Sequence, residues 1–565
     1  MNYVGKIIKN IKSLDIVLLL SIILSGGFNE FVSCIITVVI SAFLIAKIVK
    51  KQLFVLKINF VSVAILSLVL GYLFTVIYAI DTGMAVLGFL KFLPVLLFTL
   101  LLMQDDDIRV ATIEKLPYYA FFIGLLSLIA MVIPVISDFF VVAGRLGGFF
   151  QYPNTFAIFL LVGELIVVSK EKYKIMDYVM ITTLIVVILL TGSRTVFVLS
   201  VIANAVTVFL KKGTRIKLVV IAVFAVFALT VLALYPILKE HELFGRIYAL
   251  SFYESTFAGR LLYYLDALPL ILKNPFGYGY MGYYYIQQSV QTGLYSIRFI
   301  HNDLLQILLD IGWTPAVLLI VAIVKSICSK ANKLPYKIIL ITIFIHSLFD
   351  FNLQFISIFF VFILFLDVNG GKRIEITKRK SIVIGVISLL SCVSFYFAFA
   401  LGLSYFGFYS IANVMYPYNT ENKIELLIYE EDLDKQNKIA NEIIAQNKYV
   451  SVAYSAKAHY AFAQGDFEKV MEYKNYIFEI APFIYEEYEE YAYMLVQGIY
   501  LYNQVGDVQS ANICYKELLN TKTKLESLND KTSVLGKIIV DQVNTKLPED
   551  IENVINSLES MEVTQ

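Results

Sequence analysis

The chain has 565 residues, 59% hydrophobic and 16% charged, a mixture that a soluble core of this size could not bury away from water. An ordinary soluble globular protein is thereby excluded, and the chain belongs in a bilayer. Charge is unevenly divided: residues 1–415 carry 33 Lys and Arg against 20 Asp and Glu, whereas residues 416–565 carry 13 against 25, so a basic membrane part precedes an acidic soluble part.

Lys6, Lys9 and Lys12 ahead of an apolar run have the outline of a signal peptide. No small-residue cleavage site follows convincingly, and the run reads as a retained first membrane helix. A helix needs about 20 apolar residues to cross the hydrocarbon. Runs of that kind predict spans over residues 15–28, 31–47, 58–79, 84–103, 117–136, 154–169, 176–191, 196–210, 218–237, 304–324, 337–351, 354–367 and 381–403. The expected fold class is therefore all-α: a polytopic transmembrane bundle of about 12–13 helices over residues 1–415, followed by a soluble α-helical domain over 416–565. With the N-terminus inside, the alternate connections hold 25 Lys and Arg, including Lys47, Lys50, Lys51, Lys170, Lys172, Lys174, Lys211, Lys212 and the cluster from Lys372 to Lys380. The outer connections hold seven, five of them in one long outer loop, residues 237–303. The bias of Lys and Arg toward the cytoplasm sets this orientation, and an odd number of spans leaves the acidic tail outside.

In the tail, a helix is expected to end near Gly465-Asp466, a second to run with Phe467, Val470, Tyr473 and Ile477 at helical spacing, and Pro482 to stop it. Gly506-Asp507 with Ala511 and Tyr515 repeats the phrase. The tail resembles a tetratricopeptide array, although these two Gly-Asp pairs are 41 residues apart where the usual period is about 34. A helical bundle that merely covers the membrane part is the plainer reading.

Cys34, Cys328, Cys392 and Cys514 lie far apart, with no CxxC pair and no His-Cys spacing of a zinc site. There is no P-loop and no dinucleotide fingerprint. With Asp and Glu sparse on the outer side, chemistry without a metal or cofactor is implied.

Ionisable side chains at membrane depth cost about 2.5–3.5 kcal/mol even on the mild insertion scale, so each needs a partner or a task. Under this topology Arg145, Arg194, Arg246, Arg260, Arg298 and His301 fall at or just outside the outer surface, and His346 and Asp350 approach it from the eleventh span. Guanidinium groups fork onto phosphate oxygens, so a basic cluster at headgroup level suits a lipid-linked diphosphate. Singly, these arginines, Arg145 in Gly144-Arg145-Leu146-Gly147-Gly148 included, also have plain readings. Arg194 in Thr191-Gly192-Ser193-Arg194 could snorkel to headgroups, and Arg260 in Ala258-Gly259-Arg260, ahead of an amphipathic run, could be a solvated loop charge. His301 precedes the tenth span, where an imidazole suits general-base work near neutral pH; a helix-terminal polar role is the alternative. His346 and Asp350 are four apart and are expected to share a helix face. Tyr263, Tyr264, Tyr278, Tyr280, Tyr283, Tyr284, Tyr285 and Tyr295 crowd the outer loop, as a membrane-interface belt or a platform for sugar faces.

The order of these motifs resembles the O-antigen ligase and polymerase superfamily of lipid-linked glycan ligases, polymerases and oligosaccharyltransferases. The matching pieces are Gly144-Arg145 with Gly147, Gly148, Pro153 and Asn154; Thr191-Gly192-Ser193-Arg194; Gly259-Arg260 with Asn274-Pro275-Phe276-Gly277-Tyr278-Gly279; His301-Asn302 with Asp310-Ile311-Gly312; and His346 with Asp350. The resemblance implies a membrane glycosyltransferase. Its donor would be a polyprenyl-diphosphate-linked glycan and its acceptor a sugar, lipid or protein hydroxyl. Arg194 and Arg260, with Arg145 and Arg298, would bind the diphosphate. His301 would take the acceptor proton, and Asn302, Asp310, His346 and Asp350 would support it. Asp310 stands where the family often has Glu, and the simple ligases lack such a tail, which leaves room for a protein partner there.

The competing class is a lipid-linked glycan flippase or transporter, which should line a path through the bilayer with polar groups; Lys91 and Glu164 are the main candidates for mid-span charges, and the rest gather at one face. A receptor or scaffold acting through the tail is a third reading. The acid excess of the tail makes nucleic acid an unfit ligand. Protease added to intact, wall-stripped cells is expected to remove the tail. Cleavage seen only after lysis would reverse this topology.

Overall fold

The computed structural model describes residues 12–210 and 255–562. The span expected at 218–237, with Lys211, Lys212 and Arg246, lies outside them. In chain order the helices are α1 (Ser13–Ile23), α2 (Glu30–Lys51), α3 (Phe60–Thr75), α4 (Thr82–Met103), α5 (Ile108–Ile113), α6 (Leu116–Met131), α7 (Pro134–Phe140), α8 (Pro153–Val168), α9 (Ile175–Leu190), α10 (Arg194–Phe209), α11 (Ser255–Lys273), α12 (Gly282–Val290) and α13 (Asp303–Ile311). They continue with α14 (Trp313–Cys328), α15 (Leu334–Ser347), α16 (Ile356–Phe365), α17 (Lys380–Tyr405), α18 (Tyr409–Met415), α19 (Thr420–Tyr429), α20 (Leu433–Gln446), α21 (Ser451–Ala463), α22 (Phe467–Ile480), α23 (Tyr485–Gln504), α24 (Val508–Lys531) and α25 (Glu549–Glu562). Two antiparallel pairs join them: β1 (Phe54–Ile58) with β4 (Lys372–Ile376), and β2 (Val141–Val142) with β3 (Arg145–Leu146). Among the described residues the protein is all-α apart from these.

Two compact units emerge. The first holds residues 12–75, 86–210 and 300–402; the second holds 76–85, 255–299 and 403–562. In the first unit every residue of α16 is buried, as are all but two of α8, which packs against α6, α9, α10 and α15. Helices apolar all round belong inside a bundle. By contrast, α17 exposes Ile382, Leu389, Phe395 and Phe399, the third of them 68% exposed, on a 26-residue apolar helix. A surface of that kind is stable only against lipid. Among the described residues four helices, α2, α4, α17 and the α5–α6 stretch, are long and apolar enough to cross a membrane, and eight further apolar helices are shorter.

Two expectations about spans are corrected. The run 304–324 is broken into α13 and α14 at Gly312, with φ 81° and ψ −167°, a conformation essentially confined to glycine. Next, α15 ends at Ser347, short of residue 351, because Leu348 N and Phe349 N turn back onto Ile345 O and His346 O at 3.1 and 3.0 Å.

Side-chain bonds sort the helix ends of this unit into two groups. In one, Lys51 Nζ donates to Gln104 O (2.6 Å), Lys115 Nζ to Asp15 Oδ2 (2.6 Å) and Arg109 Nη2 to Asn332 Oδ1 (2.9 Å), while Lys57 pairs with Asp106. The β1–β4 pair joins the same set. The other group gathers Arg145, Asn154, Thr191, His301 and Asp350. Connections expected on one side of the bilayer thus bond to one another.

In the second unit the tail folds as helical hairpins: α19 with α20, α21 with α22, and α23 with α24. Gly465 and Gly506 take φ of 72° and 78° in the turns. Asp432, Asp466 and Asp507 cap the helices that follow, each accepting a backbone N–H three residues on. Asp432 and Asp466 are 34 residues apart; the spacing of 41 to Asp507 reflects the 20-residue α23 in place of a 13-residue α21. Phe478 stacks on Tyr488 with centroids 3.9 Å apart, within a core containing Leu495, Leu518 and Leu525.

Replacing Gly312 with Val should cost about 1–3 kcal/mol of strain and lower the melting temperature of the purified protein. Trp313, the one tryptophan of the chain, reports this by fluorescence. A melting curve equal to wild type would mean that the break does not need glycine.

Candidate functional site

His301 stands in the turn that leads into α13, with φ 54°. A non-glycine residue in this left-handed region stores on the order of 1–3 kcal/mol and persists only where its surroundings hold it. They do so on both sides. Ile300 N donates to Gln306 Oε1 at 3.0 Å. Asn302 caps α13, its Oδ1 accepting from Leu305 N (3.0 Å) and its Nδ2 donating to Leu348 O (2.9 Å). Gln306 is fixed in turn by Asp310, which accepts from Gln306 Nε2 (2.8 Å) and from Tyr72 OH (2.9 Å). Asp310 therefore supports the His301 turn through Gln306.

The imidazole faces Asp350, with Nδ1 3.3 Å from Oδ1, and packs edge-on against Phe351. Its side chain keeps 24% exposure, against 2% for Asp350. Asp350 Oδ1 also accepts from Tyr152 OH (2.8 Å) and Phe351 N (3.0 Å), and Oδ2 accepts from Asn154 Nδ2 (2.7 Å). Asn154 Oδ1 accepts from Arg145 Nη2 (2.7 Å), and Arg145 Nε donates to Thr191 O (2.8 Å). One network thus runs from the turn before Arg194 to His301. A carboxylate at Nδ1 favours the tautomer that carries its proton there and leaves Nε2 as the acceptor.

The expected sharing of a helix face by His346 and Asp350 is overturned, since Asp350 lies beyond the end of α15. His346 Nδ1 instead pairs with Asn352 Nδ2 (2.6 Å), whose Oδ1 accepts from Thr155 (3.1 Å). Arg194 is the first residue of α10 and half-buried. Arg260 lies within α11, not ahead of it, and is also half-buried. Arg298 forks onto Glu421, with Nη1 to Oε1 at 2.9 Å and Nη2 to Oε2 at 3.2 Å, a carboxylate partner where a phosphate was expected. Arg260 and Arg298 belong to the second unit; Arg145, Arg194, His301, Asn302, Asp310, His346 and Asp350 belong to the first. Tyr280, Tyr283, Tyr285 and Tyr295 are buried, so for these four neither a lipid belt nor a sugar platform holds. Among the described residues, no group of three or more His, Cys, Asp or Glu is arranged to hold a metal ion. Sequence reasoning missed Tyr152 and Gln306; Tyr152, next to Pro153-Asn154, carries the only local hint.

Fold and exposed apolar surface define an all-α, polytopic membrane protein. Residues 179–320 match the family model described as O-Antigen ligase, a segment that contains Arg194, Arg260, Arg298, His301, Asn302 and Asp310. Over that segment the chain is similar to the O-antigen ligase family. A comparison with curated proteins returned no match.

Asp350→Asn should preserve the fold and lower turnover by about 10² or more, the order expected when a histidine base loses its orienting carboxylate. Steady-state rates of the purified variant decide this. A rate near wild type would reduce Asp350 to a packing role.

Proposed function

We propose that the protein transfers a glycan en bloc from a polyprenyl diphosphate carrier to an acceptor hydroxyl at the outer face of the cytoplasmic membrane, as a polymerase or ligase. The observation that carries this reading is the partly exposed His301 held against buried Asp350. His301 Nε2 takes the proton of the acceptor hydroxyl, the oxygen attacks the anomeric carbon, and the bond from that carbon to the diphosphate breaks. The diphosphate leaves with the electron pair, and fixed cations stabilise the charge it gathers. Arg194 and Arg260 are assigned to that task. Arg298 would join them from its fork on Glu421. Arg145, committed to Thr191 and Asn154, acts through Asp350 as a positioning residue. The acceptor is a glycan, lipid or protein hydroxyl; a protein O-oligosaccharyltransferase differs only in that choice. The membrane part is assigned to residues 1–415 and the tetratricopeptide-like tail, on the outer side, to 416–565.

A transporter is less well supported. Lys91 Nζ donates to Phe28 O (2.8 Å) and pairs with Glu30 (3.5 Å), and Glu164 accepts from Asn204 (3.1 Å). Both mid-span charges have a local partner within the bundle, as a charge at membrane depth requires.

His301→Gln keeps size and polarity but removes the base, and transfer should fall by about 10² to 10⁴ with donor binding kept. Arg194→Lys and Arg260→Lys keep charge but lose the bidentate fork, and each should weaken donor use. Normal transfer by purified His301→Gln from pH 6 to 8 would return His301 to a helix-terminal role. Normal activity of both Lys variants would reduce the arginines to headgroup attraction.

A further inference from the structure

The helix that carries Arg260 is gripped by the tail. On α11, Ala258 and Leu262 share a buried cluster with Tyr295 and Ile539, against which Tyr263, Leu535 and Ile538 pack. Leu535, Ile538 and Ile539 come from a single turn that follows α24. That turn is organised by Ser533, whose Oγ accepts from Gly536 N (3.1 Å) and whose N donates to Thr292 O (2.8 Å). Gly293 and Gly536 meet backbone to backbone. A Cβ on Gly293 would stand 2.7 Å from Gly536 Cα and 3.0 Å from Leu262, and one on Gly536 would strike Thr292 O. Two glycines are what allow the tail to come this close. From the other side Asp266, also on α11, accepts from Thr292 N and Oγ1 (both 2.8 Å) and from Tyr295 OH (3.0 Å). Burial pushes its carboxyl up from the usual range, against the pull of these donors. The strap 292–295 is thus bonded to α11 at Asp266 and to the tail at Ser533, and the residues flanking Arg260 on its helix are packed by tail side chains.

We propose that tail residues Ser533, Gly536 and Ile539 are positioning residues for Arg260, so that the tail forms part of the device that presents this guanidinium to a polyprenyl diphosphate. The proposal rests on the assignment of Arg260 to the diphosphate. It gives the tail a task within the donor site, separate from any partner its helices recruit.

The test uses the full-length protein in nanodiscs, with Gly536→Val and the milder Ile539→Ala. Amide hydrogen exchange over residues 257–265 and 292–298 should rise in both variants, while 420–480 keeps wild-type protection. Affinity for farnesyl diphosphate, a polyprenyl diphosphate without glycan, should fall about tenfold in each variant, a coupling within the range of residues in contact. Combined with Arg260→Lys, neither should lower it further. Unchanged exchange at 257–265 overturns the proposal, and so do additive losses in the double variants. If exchange rises while Arg260→Lys binds farnesyl diphosphate as wild type does, the diphosphate reading has failed and the grip of the tail on α11 stands.

Discussion

Asp350 is 1% exposed and yet collects donors from separate stretches of chain: Tyr152 and Asn154, Phe351, and the imidazole of His301. A carboxylate in such surroundings is tolerated only when its lone pairs are occupied. The requirement works in both directions. It fixes the loop after α15, the first turn of α8 and the turn before α13 as one body, and it aims His301 through Nδ1. Arg145 then extends the body to Thr191 and so to the turn that begins α10 and presents Arg194. Removing one of these donors weakens the set by about 1–3 kcal/mol.

The second unit solves a different problem. Arg260 and Arg298 come from a stretch of loop and helix in which one buried cluster, Ala258, Leu262 and Tyr295, is completed by Ile539 of the tail. Lys474, fully buried between Glu487 and Glu490, shows how the hairpins accommodate charge without a lipid environment. Burial opposes ionisation of Glu490, and the His459 and Lys474 contacts outweigh it and hold this carboxyl down to about 2.

The helices of the membrane part and the tail hairpins were legible because both rest on local periodicity, punctuated by Gly465-Asp466 and Gly506-Asp507. Where the apolar pattern runs on through a break, sequence reasoning runs on with it. Ile311-Gly312-Trp313 does not interrupt hydropathy, and Leu348-Phe349 prolong the pattern of α15 past its true end. The 34-residue spacing was hidden because Asp432 follows Glu431 and not a glycine. At the site, residue types and their order pointed to His301, but its setting did not show. Tyr152 lies 198 residues from Asp350 and Asn154 lies 196, and no local rule links them. The Arg298–Glu421 fork is equally nonlocal. The tyrosine-rich loop, which reads as a membrane belt or a sugar platform, holds four rings that are buried.

The β1–β4 pair carries a consequence for biosynthesis. Its partners are 314 to 322 positions apart in the chain. At about 5–20 residues per second, the first strand waits roughly 15–65 s for its mate to leave the ribosome. Throughout that interval its backbone donors and acceptors are an open edge, the kind that invites unwanted pairing. Lys57 within it and Lys51 just before it place charge beside that edge, a common means of keeping such strands apart. Closure of the ladder then adds backbone bonds to the packing of residues 313–365 against residues 13–75.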